Sequence, residues 1–296
     1  MRASLIKTLL YLFAWLPLPV LHVIGQLVGW ILILFPNRLK HIATRNIRLC
    51  LPELEPSGQA QLVRRSLLET GKTALEMGKL WLRPAGHVLG LVRKVHGIEH
   101  VEAARSKGRG VILATPHLGA WEVAGLYCAH AFDITCLYRP LRISGLEQLV
   151  NKARSRAGGR YVPANARGIR LLYRTLEVGG VVAMLPDQEP LAGTGVFAPF
   201  FGIPAFSMVF LSRLAIRDNT PVVFVWCERL GMGRGYHLHF MPAPDTVYSK
   251  DTVTSVGGVN NAVEQAIRKC PQQYQWSYRR FRTRPDGQPS LYRQSG

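Results

Sequence analysis

From Thr8 to Asn37 the chain carries no Lys, Arg, Asp or Glu, and Leu, Ile, Val, Phe and Trp fill most of the interval. About 20 apolar residues cross a bilayer, so the stretch is long enough to span one. Pro17 and Pro19 interrupt it and predict two helices or a bent one. Tyr11, Trp15 and Trp30 are of the kind that anchor at a lipid–water interface. The same residues also read as a cleaved signal peptide or as a buried helical hairpin. The first conflicts with an apolar run longer than the roughly 7–15 residues of a signal core. The second suits the lengths on either side of the prolines.

The periodicity then becomes helical. Gln59 to Leu82 reads as a helix, with Leu62, Leu68, Leu75 and Leu82 on one side, Arg64, Arg65, Glu69 and Lys72 between them, and Pro84 beyond its end. From Gly110 short apolar runs predict strands at Val111–Ala114, Ile134–Tyr138, Val181–Leu185, Pro221–Trp226 and Tyr236–Met241. Helical segments are predicted at Trp121–His130, Gly145–Ala157, Gly168–Glu177, Ser207–Ile216 and Asn260–Cys270. This alternation predicts an α/β fold, a mixed central sheet flanked by helices. Three regions follow: residues 1–37 as a membrane anchor (one span or a helical hairpin), 38–95 as a basic, amphipathic helical region, and 96–296 as the catalytic domain. No repeat or low-complexity tract divides residues 100–285.

Composition narrows the partner. The hydrophobic fraction of 48% supports a large core and excludes a disordered chain. The net charge of +19 calls for something anionic: nucleic acid, an acidic membrane face, a phosphorylated lipid or an acidic carrier protein. Arg38, Lys40, Arg45 and Arg48 directly follow the apolar stretch and favour a cytoplasmic location for the rest. The five cysteines are scattered without a CxxC pair, which predicts reduced thiols and argues against a disulfide framework or a zinc site. His237 and His239 alternate on a predicted strand and share a face, but two ligands are too few for a metal, so none is expected.

The candidate chemistry lies in His117-Leu118-Gly119-Ala120-Trp121-Glu122. Inside one helix, residues five apart point about 140° away from each other. His117 is therefore expected in the turn after the strand, where Gly119 lets the backbone bend, and Glu122 in the first turn of the next helix. From there Glu122 reaches back to one imidazole nitrogen, and the other nitrogen takes a proton from an alcohol. The helix N-terminus supplies amides for the oxyanion. The spacing alone is common by chance, and a strand-capping histidine beside a helix-starting glutamate explains it equally well.

Further segments make it specific. Tyr138-Arg139-Pro140, Leu185-Pro186-Asp187-Gln188, Phe197 to Ala205 and Tyr274 to Phe281 follow in order. With His-x4-Glu after an apolar strand, they resemble the lipid A biosynthesis late acyltransferases, the lauroyl and myristoyl transferases within the glycerolipid acyltransferase superfamily. The resemblance implies a glycerolipid acyltransferase-like fold. It implies transfer of an acyl chain from acyl-carrier protein to the hydroxyl of a 3-hydroxyacyl chain on a Kdo-bearing, phosphorylated lipid A precursor. It implies His117 and Glu122 as the catalytic pair, no cofactor, and a place at the bacterial inner membrane facing the cytoplasm.

Arginine binds phosphate bidentately, so Arg139, Arg154 and Arg156 are candidates for holding the acceptor. Asp187 is a candidate for holding one of these arginines or the acceptor itself, or else a turn residue after proline. Phe197, Phe200 and Phe201 form a rigid apolar loop suited to an acyl groove or to the core. The run from Arg279 to Arg284 suits docking on an anionic membrane or carrier. Two other functions are open: acylation of a different membrane lipid (a glycerophospholipid, an aminolipid or a phosphoinositide glycolipid), and a basic membrane protein that binds nucleic acid without catalysis. The motifs at the strand ends favour an enzyme over nucleic-acid binding.

Overall fold

The computed structural model describes residues 2–138 and 144–292. Four helices come first: α1 (Arg2–Trp15), α2 (Leu18–Leu34), α3 (Arg38–Cys50) and α4 (Pro56–Leu82). The break between α1 and α2 falls at the expected prolines, and Pro19 lies in the first turn of α2, where its missing N–H does no harm. The remaining elements are α5 (Ala85–Leu89), β1 (Val92–His96), α6 (Glu99–Arg105), β2 (Val111–Ala114), α7 (Trp121–Phe132), β3 (Thr135–Tyr138), α8 (Ser144–Ser155), β4 (Arg160–Pro163), α9 (Ala166–Glu177), β5 (Val181–Met184), β6 (Gly195–Phe200), β7 (Ile203–Met208), α10 (Phe210–Arg217), β8 (Val222–Arg229), β9 (Tyr236–Pro242) and α11 (Thr252–Lys269).

Seven strands form one sheet in the order β1-β9-β8-β2-β5-β3-β4. Neighbours run parallel except at β8–β9, so the sheet is mostly parallel and helices cover both faces. Both faces are apolar because alternate residues enter different cores. Ile112, Ala114, Val182, Met184 and Phe224 face one core, and Val111, Leu113, Val181, Ala183 and Val223 face the other.

Three predictions need correction. Phe197 to Ala205 is not a loop: β6 and β7 pair as an antiparallel hairpin, Phe200 is buried, and Phe201 carries the left-handed turn (φ +50°). Ser207 lies in strand β7, which ends at Met208, and does not begin a helix; the helix starts at Phe210. Strands β1 and β4 were not expected, since Val92-Arg93-Lys94-Val95-His96 and Arg160-Tyr161-Val162-Pro163 carry too few apolar residues to read as strands.

The apolar N-terminal helices lie on α4, and small residues set the contact. A Cβ on Gly71 would fall 2.0 Å from the carbonyl oxygen of Gly25, and one on Gly25 would fall 2.6 Å from Cα of Lys72. No single described helix is long and apolar enough to cross a membrane; α2 and α3 pass that test only as a pair bent by 82°. The outward side keeps Leu5, Leu9, Leu12, Trp15, Leu27 and Ile31 exposed. Residues of α3 and α4 such as Ile42, Ile47, Leu62 and Leu67 join the same core as the sheet. The five cysteines are all buried and unpaired.

Candidate active site

Strands β2 and β5 are parallel neighbours, with Ala114 opposite Met184. His117 follows β2 by three residues and Asp187 follows β5 by three, so strand register alone brings the two side chains together. Asp187 Oδ1 lies 2.8 Å from His117 Nδ1, and Asp187 Oδ2 accepts the His117 backbone N–H at 2.8 Å. One carboxylate thus holds both the backbone and the ring of His117, and the ring's Nδ1 donates. The Asp187 side chain is 1% exposed and that of His117 is 16% exposed. The Nε2 edge has no hydrogen-bond partner among the described residues. Burial pushes the Asp187 carboxyl up, but the His117 charge and both hydrogen bonds outweigh this and hold it below the ordinary aspartate range. The Trp121 ring flanks the imidazole, with ring centroids 5.3 Å apart.

This arrangement corrects the expected pairing. Glu122 does not orient His117; its carboxylate is taken by Arg154, which donates from Nε at 3.1 Å and from Nη2 at 2.5 Å. The physical reason is position. Glu122 lies in the first turn of α7 and points toward α8, which carries Arg154. Burial pushes the Glu122 carboxyl up, and Arg154 overrides this and holds it low. Asp187, expected to hold an arginine or the acceptor, pairs with the imidazole and with no arginine among the described residues.

The other predicted arginines are placed as follows. Arg156 donates to the carbonyl oxygens of Leu80 (2.5 Å) and Ala153. Arg139 lies outside the described residues. Arg280, in the basic C-terminal run, is buried and donates to Phe206 O (2.9 Å), Ser207 Oγ (2.5 Å) and Asn260 Oδ1 (3.3 Å), so it braces the β6–β7 hairpin and does not face a membrane.

The loop that carries His117 is pinned from two sides. Gly119 N–H donates to Gln273 O (3.0 Å), and Ala120 N–H donates to Cys227 O (2.7 Å). Gln275 N–H donates to His117 O (3.2 Å). Gly119 has φ +64°, and a Cβ there would fall 1.9 Å from Cys227 O, so the turn requires glycine. Gln188 and Gln275 bond side chain to side chain at 3.1 Å, and Glu189 N–H reaches Tyr278 Oη at 2.9 Å. The Leu185–Gln188 and Tyr274–Phe281 segments thus converge on the histidine.

Beneath the loop is a buried cluster that the sequence reading did not identify. Arg229 donates to both oxygens of Glu76, to Glu69 (2.9 Å) and to Thr73 (3.0 Å), and lies 3.4 Å from the carbonyl oxygen of Gly119. Tyr236 Oη donates to Glu76 at 3.0 Å. His22 of α2 accepts the Gly233 amide on Nδ1 (3.1 Å), so its Nε2 faces Glu76 with the proton (3.4 Å). Burial pushes the Glu76 carboxyl up, and Arg229 and His22 reverse this and hold it low. The available signal was that Glu76 follows Leu75 on the buried side of α4, where a carboxylate needs a partner.

Comparison with characterised proteins places the whole chain in a family. Over 290 residues the chain is 28% identical to the lipid A biosynthesis palmitoleoyltransferase of Escherichia coli, covering 96% of this chain and 92% of that protein. It is 27% identical over 287 residues to the lipid A biosynthesis lauroyltransferase of the same organism, with the same coverage. A phosphatidylinositol mannoside acyltransferase of Mycobacterium tuberculosis is 28% identical over 159 residues, 52% of this chain and 49% of that one. The family model described as bacterial lipid A biosynthesis acyltransferase matches residues 2–283, and the chain belongs to that family.

Proposed function

We propose that this protein transfers a fatty acyl chain from acyl-carrier protein to the hydroxyl of a 3-hydroxyacyl chain on a Kdo-bearing lipid A precursor, at the cytoplasmic face of the bacterial inner membrane. The observation that carries the reading is the His117–Asp187 pair at the carboxyl ends of adjacent parallel strands, where ligands of α/β sheets gather. With Nδ1–H directed to Asp187, Nε2 is the basic nitrogen and faces outward. It takes the proton of the acceptor hydroxyl as that oxygen attacks the thioester carbonyl. The tetrahedral intermediate collapses by breaking the carbon–sulfur bond, and the proton on Nε2 passes to the departing carrier thiol. The amides of Trp121 and Glu122 open α7 without an acceptor among the described residues and are the candidate oxyanion donors. Asp187 orients the base. Glu122 acts as a positioning residue, tying the start of α7 to α8 through Arg154.

Two features support a membrane substrate. The outer side of α1 and α2 is apolar, and arginines stack on its tryptophans: Arg83 lies 4.3 Å from the Trp15 ring centroid and Arg64 lies 5.4 Å from that of Trp30. Such pairs suit the boundary between lipid tails and headgroups. The positive surplus suits both an acidic carrier and a phosphorylated acceptor.

The test is an assay with membranes, acyl-carrier substrate and phosphorylated lipid acceptor. His117→Ala is expected to lose at least about 10³-fold in turnover while remaining folded; normal turnover in that variant sinks the mechanism. Mass spectrometry of lipids from a deletion strain separates acceptors. Loss of one secondary chain from lipid A supports the proposal, whereas unchanged lipid A with another lipid under-acylated overturns it.

A further inference from the structure

On the edge of the sheet away from β4, three histidines meet. Strand β1 runs parallel to β9 with His96 opposite His239, and His237 lies two residues earlier on the same face of β9. Strand β8 completes the surface, with Trp226 opposite His239 and Glu228 opposite His237. One nitrogen from each of the three rings lies within 4.8 Å of the other two, and all three residues are partly exposed. Glu228 Oε2 is 3.0 Å from His239 Nε2.

We propose that His96, His237 and His239 bind a divalent transition metal of the zinc, cobalt or nickel kind, with Glu228 orienting His239. Two histidines alternating on one strand and a third on its neighbour present three imidazoles to one point. That is the ligand set of a three-histidine zinc site, with a fourth position open to water. All-imidazole donors select zinc, cobalt, nickel or copper over magnesium and calcium. Glu228 occupies Nε2 of His239 and leaves Nδ1 for the metal, the carboxylate–histidine–metal arrangement that fixes tautomer and ring direction.

The present ring positions are close but not those of a bound state. His96 and His239 stack with centroids 4.8 Å apart, and Trp226 stacks on the other side of His239 at 4.9 Å. A tetrahedral zinc with bonds of about 2.0–2.1 Å needs its nitrogens about 3.4 Å apart, so the rings must turn and draw together by roughly an ångström. His96 and His237 meet edge to face (5.5 Å, 62°). Binding would fasten β1 to β9 beside β8, the strand whose Cys227 carbonyl holds the His117 loop.

The experiment uses the full, untagged chain in detergent, stripped with a chelator. Zinc is titrated by competition with a chromophoric chelator, and Co²⁺ is followed by its visible absorption. One zinc per chain is expected, along with the ligand-field bands of four- or five-coordinate Co²⁺. His96→Ala and His237→Ala each should weaken binding by at least about 100-fold, and Glu228→Gln by about tenfold. His117→Ala should leave affinity unchanged. Melting curves recorded with and without zinc separate lost binding from lost folding: in the variants, the zinc-induced rise in Tm disappears while the metal-free Tm stays close to that of the parent. Absence of stoichiometric zinc at about 100 µM overturns the proposal, as does affinity that survives the histidine substitutions.

Discussion

Two buried carboxylates flank the same turn, and their partners differ. Asp187 meets an imidazole, which can gain and lose a proton near neutral pH; Glu122 meets a guanidinium, which cannot. Both are held below their usual range by that partner against the effect of burial. In the proposed mechanism the acid paired with a titrating base acts on the chemistry, and the one paired with a permanent cation acts on the shape of the turn. The difference teaches that the His-x4-Glu spacing puts both residues at one turn, while the hydrogen bonds there join His117 to Asp187 and Glu122 to Arg154.

The largest effect should come from breaking the first pair. Asp187→Asn keeps the size and still accepts the His117 backbone amide, but its side-chain N–H₂ turned to Nδ1 stabilises the tautomer that leaves Nε2 protonated. Turnover should fall by about 10³- to 10⁴-fold, as expected when an orienting carboxylate is lost. The Tm should move by only a few degrees. If Asp187→Asn keeps turnover within tenfold of the parent while Glu122→Gln abolishes it, the assignment of the two acids is reversed.

Breaking the second pair should act on stability. Glu122→Gln leaves Arg154, whose side chain is 29% exposed, without its counter-charge. A loss of about 2–3 kcal/mol is expected, below the roughly 3–5 of a fully buried pair because solvent screens part of the arginine. Replacing both by methionine should recover most of it, since a filled apolar site can replace a buried ion pair. Urea unfolding of the two single variants and the double variant measures this; a double variant as unstable as the worse single would show that the salt bridge is not the source.

The same pair sets an acid dependence. A carboxylate whose folded pKa lies below its unfolded value stabilises the fold at pH above the unfolded value, about 4.3 for Glu, and loses that contribution as pH falls through the lower folded value. The stability gap between the parent and Glu122→Gln should therefore be full near pH 7 and begin to close below about pH 5. A gap that stays constant from pH 7 to pH 3.5 would mean that Glu122 titrates alike in both states.

Much of the fold was legible because the central strands are nearly pure apolar runs. Val111–Ala114 and Val181–Met184, buried on both faces, could hardly be anything else. The position of His117 was legible for the same reason: a histidine three residues past such a strand lies beyond its carboxyl end. Its partner was not. Asp187 is 70 residues away, and only the adjacency of β2 and β5, a property of strand order, brings it to the imidazole. Edge strands carry one apolar face at most, so β1 and β4 gave weak signals, and His96 was left out of the cluster formed with His237 and His239. The N-terminal helices carry two signals at once. Their composition read as a membrane anchor, while Gly25, Gly29, Gly71 and Gly78 recorded a close helix contact that hydropathy does not weigh.

The smallest expected effect concerns an arginine that neither carboxylate uses. Residue type alone assigned Arg156 to a substrate phosphate, but its guanidinium reaches the carbonyls of Leu80 and Ala153. Those bonds join α8 to the end of α4 and consume donors that a phosphate would need. Burial lowers its proton affinity, and the neighbouring Glu122 opposes this. A solvated phosphate contact would show as a KM effect on the phosphorylated acceptor alone. A brace between two helices would show as a modest loss of stability, about 1 kcal/mol for the lost hydrogen bonds, with KM unchanged. Arg156→Ala is expected to follow the second pattern, with KM within about threefold of the parent and a Tm lower by about 2–4 °C. A tenfold rise in KM at unchanged Tm would return Arg156 to the acceptor site and make α8 part of the headgroup pocket, with Glu122 and Arg154 as its floor.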